Sequence, residues 1–260
     1  MAEHRALRRI PITMGGFMGQ NYVILGAYGG IGGALSRRLA SAGHRLFVAG
    51  RNEERLKALA NETGAAFALV EATESAQVEA AIARAAEQMG RVDGIANCFG
   101  SLLLKPAHLT SDEELETTLA VSLKSAFATV RAAARTMKEG GSVVLLSSAA
   151  ARLGMASHEA IAAAKAGVQG LALAAAATYA SRKIRINCVA PGLTRTPLTE
   201  RITGNEVVAK GSLAMHALGR FGEPEEVASA IAWFLDPEQS WVTGQVLGVD
   251  GGLATLRTRG

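Results

Sequence analysis

Seven short apolar runs recur along the chain, each followed by a small or polar residue and most of them by a stretch of helical period. Residues 22–25, 44–49, 67–70, 92–96, 143–146, 184–189 and 245–249 read as buried strands. Between them the apolar positions step by three and four. Ile31, Leu35 and Leu39 do so first, then Leu56 and Leu59, then Val78, Ala81, Ile82, Ala85 and Met89. Ser111-Asp112-Glu113-Glu114 is a capping box that starts a helix, whose inward stripe is Leu115, Leu119, Ser122, Ala126, Val130, Ala133 and Met137. An alanine-rich helix is predicted over 158–180. A last one follows Pro224, which suits the first helical position, with Val227, Ile231 and Phe234 inward. Residues 193–221 have weak periodicity and suit a mobile segment over a site. Regular strand–helix alternation implies parallel pairing through right-handed crossovers, an α/β fold.

The first strand runs into Gly26-Ala27-Tyr28-Gly29-Gly30-Ile31-Gly32. Glycines let the backbone turn sharply and approach a ligand that no side chain would tolerate so close. A strand, a glycine turn and a helix start aim N–H groups and a positive dipole end at one point, which suits a pyrophosphate. Such a turn also serves as a plain connection, so its context decides.

Length and composition narrow the choice. With 260 residues the chain can bury one large core, and at 5% aromatic content that core is built from Ala, Val, Leu and Ile. Residues 1–20, basic and without sustained period, read as a flexible extension, and 21–260 as one domain. A net charge of +4 without a dense basic run argues against nucleic-acid binding. No apolar run is expected to cross a bilayer uninterrupted, and no secretory apolar segment is seen near Met1. Cys98 and Cys188, both flanked by apolar residues, read as buried free thiols of a cytoplasmic protein, not as a disulfide or a metal pair.

Taken together these pieces resemble the short-chain dehydrogenase/reductase family over about residues 20–253. The family's Thr-Gly-x-x-x-Gly-Ile-Gly is similar to Leu25-Gly26-Ala27-Tyr28-Gly29-Gly30-Ile31-Gly32, with Leu in place of Thr. Its Asn-Asn-Ala-Gly is similar to Asn97-Cys98-Phe99-Gly100, and its Pro-Gly-x-x-x-Thr to Pro191-Gly192-Leu193-Thr194-Arg195-Thr196. Thr243-Gly244-Gln245 and Asp250-Gly251-Gly252 complete the set in order. The resemblance implies a Rossmann-type, doubly wound, seven-stranded parallel sheet with helices on both faces. It also implies a small-molecule substrate, a homodimer or homotetramer, no metal, and a nicotinamide dinucleotide at the strands' carboxyl ends. The implied cofactor-binding positions are Gly26, Tyr28, Gly29, Gly30, Ile31, Gly32, Arg51, Glu71, Ala72, Asn97, Gly100, Lys165, Pro191, Gly192, Leu193 and Thr196. Where NAD enzymes end the second strand with a carboxylate, this chain has Gly50 followed by Arg51. A guanidinium suits a 2′-phosphate, so NADP is expected over NAD; the other reading of Arg51 is a solvated surface arginine.

The family's Asn–Ser–Tyr–Lys tetrad is only partly kept. Ser148 and Lys165 stand at the family's spacing, but the tyrosine position is Ile161 and the asparagine is Ser122. Isoleucine has no proton to give when hydride delivery leaves charge on a substrate oxygen. Ser122 reads either as a catalytic substitute or as a hydroxyl bonded back to its helix. His158, seven before Lys165, matches the longer tyrosine–lysine spacing of the family's enoyl-thioester reductases and can donate a proton; a helix-start histidine also serves as a cap. Two functions stay open: an NADP-dependent oxidoreductase acting on a carbonyl, alcohol or activated C=C with a non-standard proton donor, or a catalytically silent dinucleotide-binding sensor or scaffold.

Overall fold

A computed structural model describes residues 19–257; the expected extension falls almost wholly outside them. All seven apolar runs form strands: β1 (Asn21–Leu25), β2 (Arg45–Gly50), β3 (Ala66–Leu69), β4 (Gly94–Asn97), β5 (Gly141–Leu146), β6 (Ile184–Pro191) and β7 (Val246–Val249). They build one parallel sheet in the order β3-β2-β1-β4-β5-β6-β7. Side chains alternate across it. Val23 and Leu25 join the core under α3 (Ser75–Met89), α5 (Ser125–Thr136) and α6 (Glu159–Tyr179). Tyr22 and Ile24 join the core under α1 (Gly30–Ser41), α2 (Glu53–Thr63) and α9 (Pro224–Leu235). This is the doubly wound architecture, and its strand order reverses between β1 and β4, where a crevice opens at the carboxyl ends.

The helix that starts at the Ser111 capping box is broken in register. It runs as α4 (Asp112–Leu119), a π-turn over Ala120–Lys124, and then α5, and both reciprocal capping bonds are present. Residues 193–221 hold two further helices, α7 (Glu200–Thr203) and α8 (Glu206–Met215), which their weak periodicity did not reveal. Two expectations need correcting. Cys188 is buried but Cys98 is only half-buried, because it stands just past the end of β4 at the open crevice. Secondly, Glu159–Arg182 is by length and composition long and apolar enough to cross a membrane, since its alanines carry it past Lys165. In the fold Ala164 is buried, and Val168, Ala172 and Ala176 pack into the core beside β6, the arrangement of a flanking helix.

Candidate active site

The glycine turn closes the β1 side of the crevice. Gly26 has φ +71°, and a Cβ there would lie 2.9 Å from the Cys98 carbonyl group and the Phe99 nitrogen. Only glycine lets the end of β1 pass so close to the end of β4. A Cβ on Gly32 would overlap the Gly26 carbonyl oxygen, so the turn also packs tightly on its own helix. Gly29 is the N-cap of α1, and among the described residues no side chain caps that helix and no acid stands in its first turn. The leading N–H groups and the positive end of the dipole are left for an anion, and the arrangement fits a pyrophosphate.

Beside this turn is a cationic corner that only the fold assembles. The Tyr28 ring lies across Gly50, where a Cβ would come within 2.5 Å of its Cε1. The Arg55 guanidinium stacks 4.8 Å from the centre of that ring and donates from Nη2 to the Tyr28 carbonyl at 3.4 Å. Arg51 is exposed and has no ion pair among the described residues. Sequence reasoning found Arg51 and missed Arg55, which reaches Tyr28 across 27 positions. A signal was available: both arginines flank Asn52, whose Oδ1 accepts from Arg55 N at 2.9 Å and starts α2. Glu71 and Ala72 follow β3; Glu71 donates its N–H to Gln77 Oε1 at 2.9 Å, and Ala72 is buried.

Across the crevice, Asn97 is fully engaged by the fold. Its amide donates to Ser125 Oγ at 3.3 Å and Thr129 Oγ1 at 3.0 Å and accepts from Phe99 N at 3.0 Å, which leaves Gly100 exposed beyond it. At the end of β6, Gly192 donates to the Val249 carbonyl, and Thr194 forms a parallel bridge with Gly222. Thr196 then lies against the start of α1, since a Cβ on Gly30 would meet its methyl carbon at 2.6 Å.

The catalytic candidates gather where α6 meets the ends of β4 and β5. Lys165 is buried, and its Nζ donates to the Leu146 carbonyl at 2.9 Å. Burial pulls its pKa down to about 8, with a partial opposing effect from the Cys188 and Cys98 thiols. Those thiols are pushed up to about 12 by burial and stay protonated. Ser148 Oγ accepts from Ala150 N at 3.1 Å, capping a short turn, while its O–H has no acceptor among the described residues. Its neighbour Ser147 is structural, donating to the Lys165 carbonyl at 2.9 Å and accepting from Gln169 at 2.8 Å.

Ser122 sits in the π-turn, a device that recurs at functional sites. It is 2% exposed, and its Oγ has no partner among the described residues, so it is not bonded back to the helix. Gly167 on α6 makes room for the turn; a Cβ there would lie 3.0 Å from Leu123 Cδ2. Ile161 is buried one turn before Lys165, on the same face of α6. His158 is the N-cap residue of α6, follows Ser157 in a left-handed conformation (φ +63°), and makes no capping bond with its side chain. Its Nδ1 lies 2.7 Å from the Ala156 carbonyl, which requires a proton on Nδ1 and leaves Nε2 as the exchangeable nitrogen.

Among the described residues no group of His, Cys, Asp or Glu could hold a metal ion. One cavity of about 730 Å³ lies at the opposite end of the sheet beside Arg91, Lys183 and Trp241, away from these side chains. A smaller one of about 340 Å³ borders Gly192, Leu193, His216 and Asp250.

The sequence matches, over residues 26–254, the family model described as enoyl-(acyl carrier protein) reductase. It is 34% identical to the 3-oxoacyl-[acyl-carrier-protein] reductase of Thermotoga maritima, with 90% of this chain and 98% of that protein aligned. It is equally 34% identical to carbonyl reductase family member 4 of Danio rerio, over 90% of this chain and 98% of the relative. Among solved structures, a short-chain type dehydrogenase/reductase from Mycobacterium ulcerans superposes with a TM-score of 0.87 at 29% identity, covering 93% of this chain and 92% of the other.

Proposed function

The chain belongs to the short-chain dehydrogenase/reductase family, and from that premise we propose an NADP-dependent oxidoreductase whose proton source is not tyrosine. Its substrate is a carbonyl or alcohol compound or an activated carbon–carbon double bond. The observation that carries the choice of NADP is the corner formed by Gly50, Tyr28, Arg51 and Arg55. No carboxylate ends β2 to repel a 2′-phosphate, and two arginines follow it closely, Arg51 exposed and Arg55 stacked on Tyr28, which supports the reading.

Bound nicotinamide supplies or accepts the hydride; the protein must manage the proton. Ser148 has an O–H free to donate to a substrate oxygen. Lys165 is a cation whose lowered proton affinity lets it exchange a proton near neutral pH, and Ser122 on the π-turn keeps a buried hydroxyl without a hydrogen-bond partner among the described residues. His158, with Nδ1–H held by Ala156, donates from Nε2 only as the imidazolium and acts as a base there when neutral. Ile161 leaves the substrate oxygen without the family's strongest acid, which favours activated alkenes over simple ketones: the resulting enolate spreads its charge and takes a proton later. The protein is read as cytoplasmic, with Cys98 and Cys188 as free thiols. It is also read as a dimer or tetramer built on α5 and α6, where Phe127 and Leu173 are exposed.

Calorimetry tests the cofactor assignment. NADPH is expected to bind at least tenfold more tightly than NADH, and Arg51→Ala to remove most of the difference, a charge-assisted pair contributing ~1.5–3 kcal/mol. Equal affinities in the wild type would overturn it.

A further inference from the structure

One buried histidine takes no part in the chemistry above. His216, just past the end of α8, is 4% exposed, and both ring nitrogens are used. Nδ1 lies 2.8 Å from the Ser212 carbonyl and must carry the proton. Nε2 is therefore an acceptor, and it takes the Leu193 N–H at 3.2 Å. The ring edge rests on Gly192, where a Cβ would lie 3.0 Å from Nε2 and 2.9 Å from the Asp250 Cα, so nothing larger than glycine fits beneath it. Phe221 packs edge-on at 6.1 Å.

These contacts join two parts of the chain that are otherwise held by a short parallel bridge and by the Leu218 N–H donating to the Gly251 carbonyl at 3.1 Å. Residues 196–215, with α7 and α8, lie between Thr194 and Gly222, which pair in an isolated parallel bridge beyond the end of β6. Arg195 adds an exposed ion pair to Glu223 at 3.3 Å, which contributes little in water. His216 is the buried tie at this neck.

We propose that His216 is a positioning residue. As the Nδ1–H tautomer it latches the 196–215 segment to the Pro191–Gly192–Leu193 turn and holds that turn in its cofactor-ready shape. The proposal rests on the reading that this turn borders the cofactor.

Two variants test it: His216→Phe keeps a buried ring and loses the acceptor, while His216→Gln places an amide oxygen near the position of Nε2. Exchange of the Leu193 amide, followed by NMR in the free protein, is expected to be at least tenfold faster in His216→Phe and to return close to the wild-type rate in His216→Gln. NADPH affinity should fall about tenfold and recover in the same pattern. Nitrogen shifts of the wild-type ring should show a protonated Nδ1 and an unprotonated Nε2. An unchanged Leu193 rate in His216→Phe, equal acceleration of the β1 and β4 amides, or His216→Gln behaving like His216→Phe would each overturn the latch. Failure of the wild type to bind NADPH would overturn the cofactor reading instead, and with it the cofactor-positioning role; the exchange data would then decide the latch by themselves.

Discussion

Replacing Lys165 by Met removes a buried charge from the centre of the candidate site, and its effect on stability has a defined pH dependence. Burial lowers the lysine's pKa from 10.5 to about 8, so the unfolded chain holds the proton more strongly than the folded one. Below pH 8 the side chain is charged in both states and the full burial cost opposes folding. Between pH 8 and 10.5 the folded protein releases its proton first, and stability rises with pH through that window. Each tenfold change in proton affinity is worth ~1.4 kcal/mol, so the whole window is worth about 3 kcal/mol.

Met also leaves the Leu146 carbonyl without its donor, a pH-independent cost of ~1–3 kcal/mol. At pH 7 the two effects nearly cancel; the pH dependence of the difference is what reports the buried charge. Cys98 and Cys188 favour the fold up to pH 9 and lose that contribution above it, but both proteins contain them, so their effect drops out of the comparison to first order. Urea unfolding of wild type and Lys165→Met at pH 7, 8, 9 and 10 should show the wild type gaining most of ~3 kcal/mol relative to the variant. A difference that stays flat across that range would refute a buried, charge-penalised lysine.

Arg55→Ala should weaken NADPH binding several-fold through loss of a guanidinium charge near the 2′-phosphate while leaving NADH almost unaffected, as read by calorimetry. His158→Ala should lower turnover at least tenfold without changing NADPH affinity if this imidazole is the donor, a positioned acid commonly contributing ~10²–10⁴-fold. Phe127→Lys together with Leu173→Lys should shift the expected dimer or tetramer towards monomer by light scattering at micromolar concentration.

The seven strands were legible in the sequence because a parallel sheet covered on both faces needs continuous apolar runs, and these stood between clear helical periods. The glycine turn was legible for the same local reason, whereas Ser148 and Lys165 were singled out through the family resemblance. The two helices within 193–221 were not, since Glu206–Met215 mixes apolar, glycine and charged residues without an inward stripe. Arg55 escaped because its role depends on where the Tyr28 ring falls across Gly50. Ser122 could be placed on its helix, but only the π-turn shows that its hydroxyl has no bond to the backbone. His216 carried no motif at all, and its two hydrogen bonds arise from the path of the segment around it.

The most direct test of a hydride-transferring enzyme without tyrosine is NADPH oxidation, followed by nicotinamide absorbance, over a panel of ketones and conjugated enones. Wild type and Ile161→Tyr would be measured side by side. The expected result is that the wild type reduces enones better than ketones and that Ile161→Tyr gains ketone reduction. Tight NADPH binding with no oxidation by either protein on any member of the panel would contradict it and identify a silent dinucleotide binder.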